Sequence, residues 1–248
     1  MTLRDERCPG HWSAPHPNAV FAFSTRAGGV SEPPFDTLNL GRSTADRPEA
    51  VEENRRRLLR AIGLDPARLV TAGQNHGARV ARAVAPGLIP DCDALVTTVP
   101  GLALAVTAAD CLPLVLVAPG AVAAVHSGWR GTAAGIPRIA LAALCEVAHV
   151  SPDRVDVHLG PAIRSCCYRV GPEVAERFPA EATSHGPHGW SLDLATATRL
   201  MLLESSVAPE RIADCAECTS CRPDRYFSHR RDRGRTGRQW GLAALGNP

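Results

Sequence analysis

The stretch that most constrains the fold is a pair of apolar runs separated by a turn dipeptide. The runs cover 112–118 and 121–125, and Pro119-Gly120 lies between them. Two such runs joined by Pro-Gly predict a tight β-hairpin inside a hydrophobic core. The rest of the chain is therefore expected to be organised around this hairpin.

The outer ends of the hairpin carry side chains that bind metals. Cys111 precedes the first run and His126 follows the second, so folding brings a thiol and an imidazole to one edge of the sheet. His76, in a Gln-Asn-His-Gly turn between two strand-like segments, is a third candidate. One Cys and two His are the donor set of a catalytic zinc site with a fourth position open. Asp110 is either a partner of a ligand or a turn cap.

The length and the pattern of elements indicate a single domain. The chain has 248 residues, 45% of them hydrophobic, which is enough for a large core. We expect a flexible tail over residues 1–17 and one domain over 18–248. Clustered strands with interspersed helices predict an α/β (α+β) fold. The predicted elements include a helix over 132–147 and a short strand over 226–229.

Charge and cysteine content exclude several classes of protein. The formal net charge is +2, from 27 basic and 25 acidic residues, so no strong field favours nucleic acid or membrane. Nine cysteines without an apolar leader favour reduced thiols and a cytoplasmic location. Every basic residue is Arg, and Arg binds phosphate in a bidentate manner. Arg26, beside paired glycines, and Arg130, after the hairpin, are placed to meet a small anion.

A second metal candidate lies near the C-terminus. Cys215, Cys218 and Cys221 follow one another at intervals of three residues, a spacing common in zinc and iron–sulfur sites. This set has no evident fourth ligand, although His229 is one candidate. The adjacent Cys166-Cys167 pair is interpreted as packing. The role of these cysteines stays open at this point.

Several motifs together resemble a known family. They occur in an ordered series from about Phe21 to Ala243 and comprise FSTRAGGVSEPPFDTLNLG, QNHG, CDALVT, AADCLPL, HSGWRG, GPAIRSCCYRVG, and a late CT followed by FSHRRD and TGRQ. The series resembles the laccase-domain, or multicopper polyphenol oxidoreductase, family, whose characterised members are zinc-dependent purine nucleoside phosphorylases.

The resemblance implies a fold, a cofactor and a set of site residues. It implies a four-layer α/β/β/α sandwich with mixed sheets, and zinc held by His76, Cys111 and His126. It implies phosphorolysis of adenosine, inosine and methylthioadenosine, with deamination of adenosine as a further activity. Purine nucleosides and phosphate would be the partners of a monomer or weak homo-oligomer. The predicted substrate contacts are Arg26, Asn39, Asp93 and Arg130.

The alternatives come from other functional classes. Some relatives resemble editing hydrolases of peptidoglycan precursors, which would use the same Cys/His site. A copper polyphenol oxidase is a second alternative, but laccase chemistry uses many His ligands and no His-x-His pair is present. A Cys-His hydrolase and a non-enzymatic binding module complete the set.

Two positions depart from the family pattern. Arg169 stands where the family has Glu, and Asn75 replaces an apolar residue. The first departure puts any role of that acid in doubt, and the second is expected to change only packing beside a ligand.

Overall fold

The computed structural model describes residues 11–12 and 16–246. Within those residues it contains fifteen β-strands and five α-helices. In chain order, strands β1–β15 are His11–Trp12, Ala19–Ser24, Leu69–Gly73, Val80–Arg82, Gly87–Pro90, Ala94–Thr97, Ala103–Ala108, Leu112–Ala118, Ala121–Ser127, Asp156–Leu159, Arg169–Val170, Thr183–Gly186, Gly189–Leu192, Ile212–Asp214 and Gln239–Leu245. Helices α1–α5 are Pro48–Ala61, Trp129–Ala133, Ile136–Ala148, Pro172–Ala175 and Leu194–Glu204.

The described strands form three sheets. The first sheet has the order β1-β2-β15-β7-β3-β5 and the second has the order β14-β10-β8-β9-β6-β4. The third is a small sheet of β11, β13 and β12. Both large sheets are mixed, since β3 runs parallel to β7 and β10 runs parallel to β14 while their other neighbours include antiparallel pairs. The predicted mixed α/β single domain is confirmed.

Apolar side chains divide the domain into four layers. Helix α1 packs Leu58 and Leu59 against the outer face of the first sheet, where Trp240 is fully buried. The two large sheets pack face to face, and a cluster of buried apolar side chains lies between them. Helices α3 and α5 cover the outer face of the second sheet. On β8, Val115 and Val117 face the first sheet while the alternate residues face the helices. The predicted α/β/β/α arrangement is confirmed.

The hairpin lies at the centre of the second sheet, as predicted. Strands β8 and β9 pair from Ala118↔Ala121 to Leu112↔Ser127. Gly120 adopts a φ of 80° in the two-residue turn, a conformation that glycine reaches without a steric penalty. The opposite end of the hairpin therefore places Cys111 and His126 at one edge.

The prediction of a single helix over 132–147 is wrong, because the segment divides into α2 and α3. Gly135 has a left-handed φ of 83° and is the N-cap of α3. Pro137 follows in the first turn of α3, where its missing N–H costs nothing. The chain therefore turns at Gly135 and begins a second helix.

The strand predicted over 226–229 is also wrong. Tyr226 and Phe227 are fully buried but lie in irregular backbone. The side chain of Gln239 replaces a strand partner, since its Oε1 accepts the Phe227 N–H at 3.0 Å and its Nε2 donates to the Phe227 carbonyl at 3.2 Å. The backbone N–H and C=O groups of a buried segment can thus be hydrogen-bonded by a side chain instead of by a neighbouring strand.

Two residues of the expected N-terminal tail lie in a short strand. Residues His11–Trp12 pair antiparallel with β2 and extend the first sheet. The expectation for residues 1–10 and 13–15 lies outside the described residues. Among the residues that the structure describes, no helix has the length and apolar character needed to cross a bilayer.

Candidate metal centre and its cavity

Three side chains predicted from the sequence converge at the edge of the second sheet. His76 lies in the turn after β3, Cys111 lies between β7 and β8, and His126 lies in β9. One donor atom from each of these residues lies within 4.8 Å of the other two. His126 is buried, Cys111 is half-buried and His76 is exposed, so the group opens towards solvent on the His76 side.

Asp93 holds two of these three residues in place. Its Oδ1 accepts a hydrogen bond from Nδ1 of His126 at 2.7 Å and from the backbone N–H of His76 at 3.0 Å. Its Oδ2 accepts the Gly77 N–H at 2.8 Å. The carboxylate is fully buried, and it fixes the ring of one ligand and the turn that carries another. Its oxygens are thus committed to protein partners, and its predicted contact with substrate stays a prediction.

The charges of Cys111 and His126 depend on each other. Burial by itself would raise the pKa of the Cys111 thiol, yet the neighbouring His126 and His76 rings hold that pKa below its ordinary value. Burial would lower the pKa of His126, but the Cys111 sulfur and the Asp93 carboxylate raise it. Cys111 is therefore poised as a thiolate, the form in which sulfur binds a metal.

The space around the group fits a single small ion. A Cβ atom placed on Gly128 would lie 3.0 Å from Sγ of Cys111 and 3.1 Å from Cδ2 of His76. Only a residue without a side chain leaves the two donors free to approach each other at this position. One thiolate and two imidazoles suit zinc or copper, and three ligands leave one coordination position open.

A cavity of about 300 Å³ opens directly above the three donors. One wall is fixed by Gln74, whose Nε2 donates to the Thr107 carbonyl at 2.8 Å and whose Oε1 accepts the Thr107 N–H at 2.7 Å. The other wall is fixed by Asp110, which accepts hydrogen bonds from Oγ1 of Thr219 at 2.7 Å and from the backbone N–H of Arg230 at 2.6 Å. Asp110 therefore connects cavity segments, and within the described part of the chain its carboxylate accepts from Thr219 and Arg230 and not from His76, Cys111 or His126.

Sequence reasoning did not assign four of the polar residues of this lining to the cavity, and it considered one of them, His229, only as a ligand of the C-terminal cysteines. Arg230 and Arg238 bring two guanidinium groups to it, and Tyr168 and His229 lie in the same lining. The Arg230 guanidinium lies over the Tyr168 ring at 5.2 Å and donates to the Arg169 carbonyl at 2.8 Å. The FSHRRD and TGRQ motifs contain three of these four residues, and those motifs were the available signal.

All four predicted substrate contacts lie outside the cavity lining, since Arg26, Asn39 and Arg130 are absent from it, as is Asp93. Arg26 donates to the Asp36 carbonyl at 2.7 Å and pairs with the Asp36 carboxylate at 2.9 Å. Asn39 is fully buried and accepts the backbone N–H of Arg238 at 2.9 Å. Arg130 lies over the Trp129 ring at 4.4 Å. Their contact with a substrate stays a prediction, but the described geometry gives Asn39 a different task, which is to position Arg238.

The two departures from the family pattern have clear local consequences. Arg169 is exposed and uses its backbone carbonyl, not its side chain, to hold Arg230. Asn75 does more than pack, since its Oδ1 accepts the Gly77 N–H at 3.0 Å and stabilises the His76 turn. The expectation that Asn75 changes only packing is therefore wrong.

Comparison with known proteins identifies the family. A family model described as multi-copper polyphenol oxidoreductase laccase matches residues 20–246. The chain belongs to this family. Relatives at 36–40% identity carry the name purine nucleoside phosphorylase. YlmD of Geobacillus stearothermophilus is 36% identical over 94% of this chain and 91% of its own length. SCO2081 of Streptomyces coelicolor is 40% identical over 92% of this chain and 96% of its own length.

Two solved structures share the fold of this chain. The crystal structure of YlmD from Geobacillus stearothermophilus has a TM-score of 0.94 at 34% identity and covers all of both chains. That of a hypothetical protein YfiH from Bacillus licheniformis has a TM-score of 0.92 at 30% identity, covering 97% of this chain and 98% of its own.

Proposed function

We propose that this protein is a zinc-dependent purine nucleoside phosphorylase. The reaction joins a phosphate oxygen to C1′ of the ribose, breaks the bond from C1′ to the base nitrogen, and leaves the electron pair and a proton on the free base. The observation that carries the proposal is the opening of the His76, Cys111 and His126 group into the same cavity as two arginines. The names of the relatives support it.

The arginines supply the phosphate end of the cavity in this proposal. Arg230 and Arg238 both line it, and a guanidinium binds phosphate oxygens in a bidentate manner. The Arg238 guanidinium is oriented by the carbonyls of Thr236 and Gly237, both at 2.9 Å. Pre-oriented cations of this kind hold the nucleophile near the sugar and compensate its charge.

The remaining cavity residues serve the nucleoside end. A zinc ion held by His76, Cys111 and His126 would act as a Lewis acid and stabilise the negative charge that develops on the base. Burial raises the pKa of Tyr168 to about 12. Tyr168 therefore keeps its hydroxyl proton at neutral pH and is available as a hydrogen-bond donor to the base.

The finer predictions belong to the same proposal. Broad specificity for adenosine, inosine and methylthioadenosine, and deamination of adenosine by water, require a site with an open coordination position, which three ligands leave. We also propose that the protein acts in the cytoplasm as a monomer or weak homo-oligomer, on small molecules and not on nucleic acid.

Copper oxidation of phenols is not favoured by the residues present. Laccase chemistry uses several coppers bound largely by histidine. Among the described residues, the two groups able to hold a metal contain two histidines in all. Copper remains the alternative ion for the three-ligand group.

The test compares zinc-loaded and chelator-stripped protein with adenosine and inosine, each with and without phosphate. We expect free base only when phosphate is present, loss of this activity on stripping, and its return with zinc. Full activity after stripping would contradict the proposal and favour a Cys-His hydrolase, which needs no metal. If the protein acts on no nucleoside, the site must serve another class of substrate, such as a peptidoglycan precursor.

A further inference from the structure

A second group of metal-binding side chains lies outside the cavity. Cys166 and Cys167 lie between β10 and β11, and Cys218 and Cys221 lie between β14 and β15. All four Sγ atoms lie within 4.8 Å of one another. Cys215, which shares the regular spacing of the C-terminal cysteines, is not in the group. We call these four residues the four-cysteine cluster.

The distances in the four-cysteine cluster fit a tetrahedral ion. Sγ of Cys221 is 3.3 Å from Sγ of Cys167 and 3.6 Å from Sγ of Cys166. Tetrahedral zinc with Zn–S bonds of about 2.3 Å separates its sulfurs by about 3.8 Å. A disulfide joins its sulfurs at about 2.05 Å and uses two of the four thiols. An iron–sulfur cluster distributes its ligands over several iron atoms, so this compact set fits one ion better.

The two segments are held together by contacts that do not involve sulfur. Ala162 and Cys218 form a parallel bridge, in which the Thr219 N–H donates to the Ala162 carbonyl at 3.1 Å. Arg164 pairs with the Asp214 carboxylate through both of its terminal nitrogens. The four sulfurs are therefore brought together by the fold itself, and metal binding would not have to organise the segments.

The surroundings of Cys218 suit a thiolate ligand. The backbone N–H of Arg164 points at its sulfur at 3.5 Å. Backbone donors to a cysteine sulfur stabilise its charge and orient it towards a metal. Cys166 and Cys221 are exposed, so an ion can enter from solvent.

We propose that Cys166, Cys167, Cys218 and Cys221 bind a second zinc ion in a closed structural site. Each thiol gives its proton to solvent as the ion binds. Four protein ligands leave no open position, so this site does not bind substrate. The proposal does not depend on the nucleoside reaction.

The second ion would fix two parts of the cavity wall. Tyr168, which lines the cavity, directly follows Cys167. Thr219, which directly follows Cys218, donates to the carboxylate of Asp110 at 2.7 Å, and Asp110 precedes the ligand Cys111. A metal in the four-cysteine cluster thus joins two loops whose next residues shape the cavity, and it is a positioning element.

The first test is a zinc count on purified protein. We expect two equivalents per chain in the wild type, one in Cys221→Ser and one in Cys111→Ala, with the signature of a cobalt tetrathiolate in the visible spectrum of cobalt-loaded Cys111→Ala. Cys215→Ser is the matched control, since it removes a cysteine of the same segment outside the cluster, and it should retain two. One equivalent in the wild type that disappears in Cys111→Ala would overturn the proposal.

The second test uses only the wild type and so does not depend on the folding of any variant. Chelator-stripped protein is alkylated with and without added zinc, and the labelled peptides are quantified by mass spectrometry. We expect zinc to protect Cys166, Cys167 and Cys221 while labelling of Cys145 on α3 is unchanged. Equal labelling with and without zinc, or a peptide linked by a disulfide between Cys167 and Cys221 in freshly isolated protein, would refute the site.

Discussion

The group beneath the cavity and the four-cysteine cluster at the surface differ in what holds them. The first takes its donors from strand ends and a turn, and the buried carboxylate of Asp93 orients two of the three. The second takes its donors from two loops, and a backbone N–H group faces one of its sulfurs. The first leaves a position for chemistry, and the second closes around its ion. The difference teaches that three ligands leave a position for a reaction and four do not, whichever side chains supply them.

The largest expected effect is that of removing the thiol beneath the cavity. Cys111→Ala should lose the metal of this site and reduce nucleoside turnover to background, because two imidazoles alone do not complete the donor set. Zinc content and release of free base are the measurements. Cys145→Ala, which removes a half-buried thiol on α3, is the control and should retain both. A Cys111→Ala protein with full activity and no zinc would refute the role of the site.

Low pH should destabilise the fold as well as release the metal. A substitution of His158 distinguishes these two effects. His158 stacks on Phe21 at 4.1 Å, and among the described residues neither ring nitrogen has a hydrogen-bond partner. Burial, with a smaller contribution from His16, lowers the pKa of His158 from 6.5 to about 4, against the opposing charge of Asp156. The neutral ring is thus favoured in the folded state.

The sign of the acid effect follows from that shift. The stabilisation is complete above pH 6.5 and is lost as the pH falls towards 4, since the unfolded chain binds a proton that the folded chain resists. We expect the wild type to lose roughly 3 kcal/mol more than His158→Leu between pH 7 and pH 4. Denaturant unfolding at each pH measures this difference. His188→Leu, in the exposed turn between β12 and β13, should follow the wild type, and equal acid dependence of all three proteins would contradict the prediction.

A smaller effect is expected from the residue that positions the ligands. Asp93→Asn places an amide N–H where backbone N–H groups and His126 now donate, so zinc affinity at the cavity should fall by about 10–100-fold. The four-cysteine cluster should be unaffected, which makes competition with a zinc chelator a test of the contrast between the regions. Asp91→Asn, an exposed change two residues away, should alter neither affinity. An Asp93→Asn protein with wild-type affinity would mean that the strand ends alone hold the ligands.

The smallest expected effect comes from the glycine beside the donors. Gly128→Ala places a methyl group 3.0 Å from Sγ of Cys111, and the resulting shift should weaken zinc binding by about tenfold. Gly186→Ala is the control, because a Cβ there meets nothing within 4 Å and no positive φ is required. Identical affinity in both variants would show that the donors can move apart without cost.

The hairpin and the three donors beneath the cavity were predictable because their signals are local. Apolar runs, a Pro-Gly turn and a donor at each strand end lie within 111–126, so the sheet edge follows from chain direction alone. Only His76 lies far from the hairpin in the sequence, and the Gly-containing turn around it indicated that it belongs to the site. The outer layers followed from the resemblance of the motifs to a family of known architecture.

The four-cysteine cluster was not predictable in the same way. Its two halves are 51 residues apart at the nearest, from Cys167 to Cys218, and they meet only because β10 and β14 run parallel with Ala162 opposite Cys218. Regular spacing suggested Cys215 and gave no indication of the Cys166-Cys167 pair. The side chains of Arg230 and Arg238 were missed for a related reason, since their loop is held by hydrogen bonds to the side chains of Gln239, Asn39 and Asp110, and not by periodicity.

The position of β15 in the first sheet has a consequence for synthesis of the protein on the ribosome. Gln239–Leu245 lies between β2 and β7, so two early strands remain without their shared neighbour until residue 245 has been translated. Until then the apolar edge residues of β2 and β7 are available to other chains, and contacts of such long sequence separation form slowly. We therefore expect the edges of β2 and β7 to stay accessible to other chains in the nascent protein until β15 emerges.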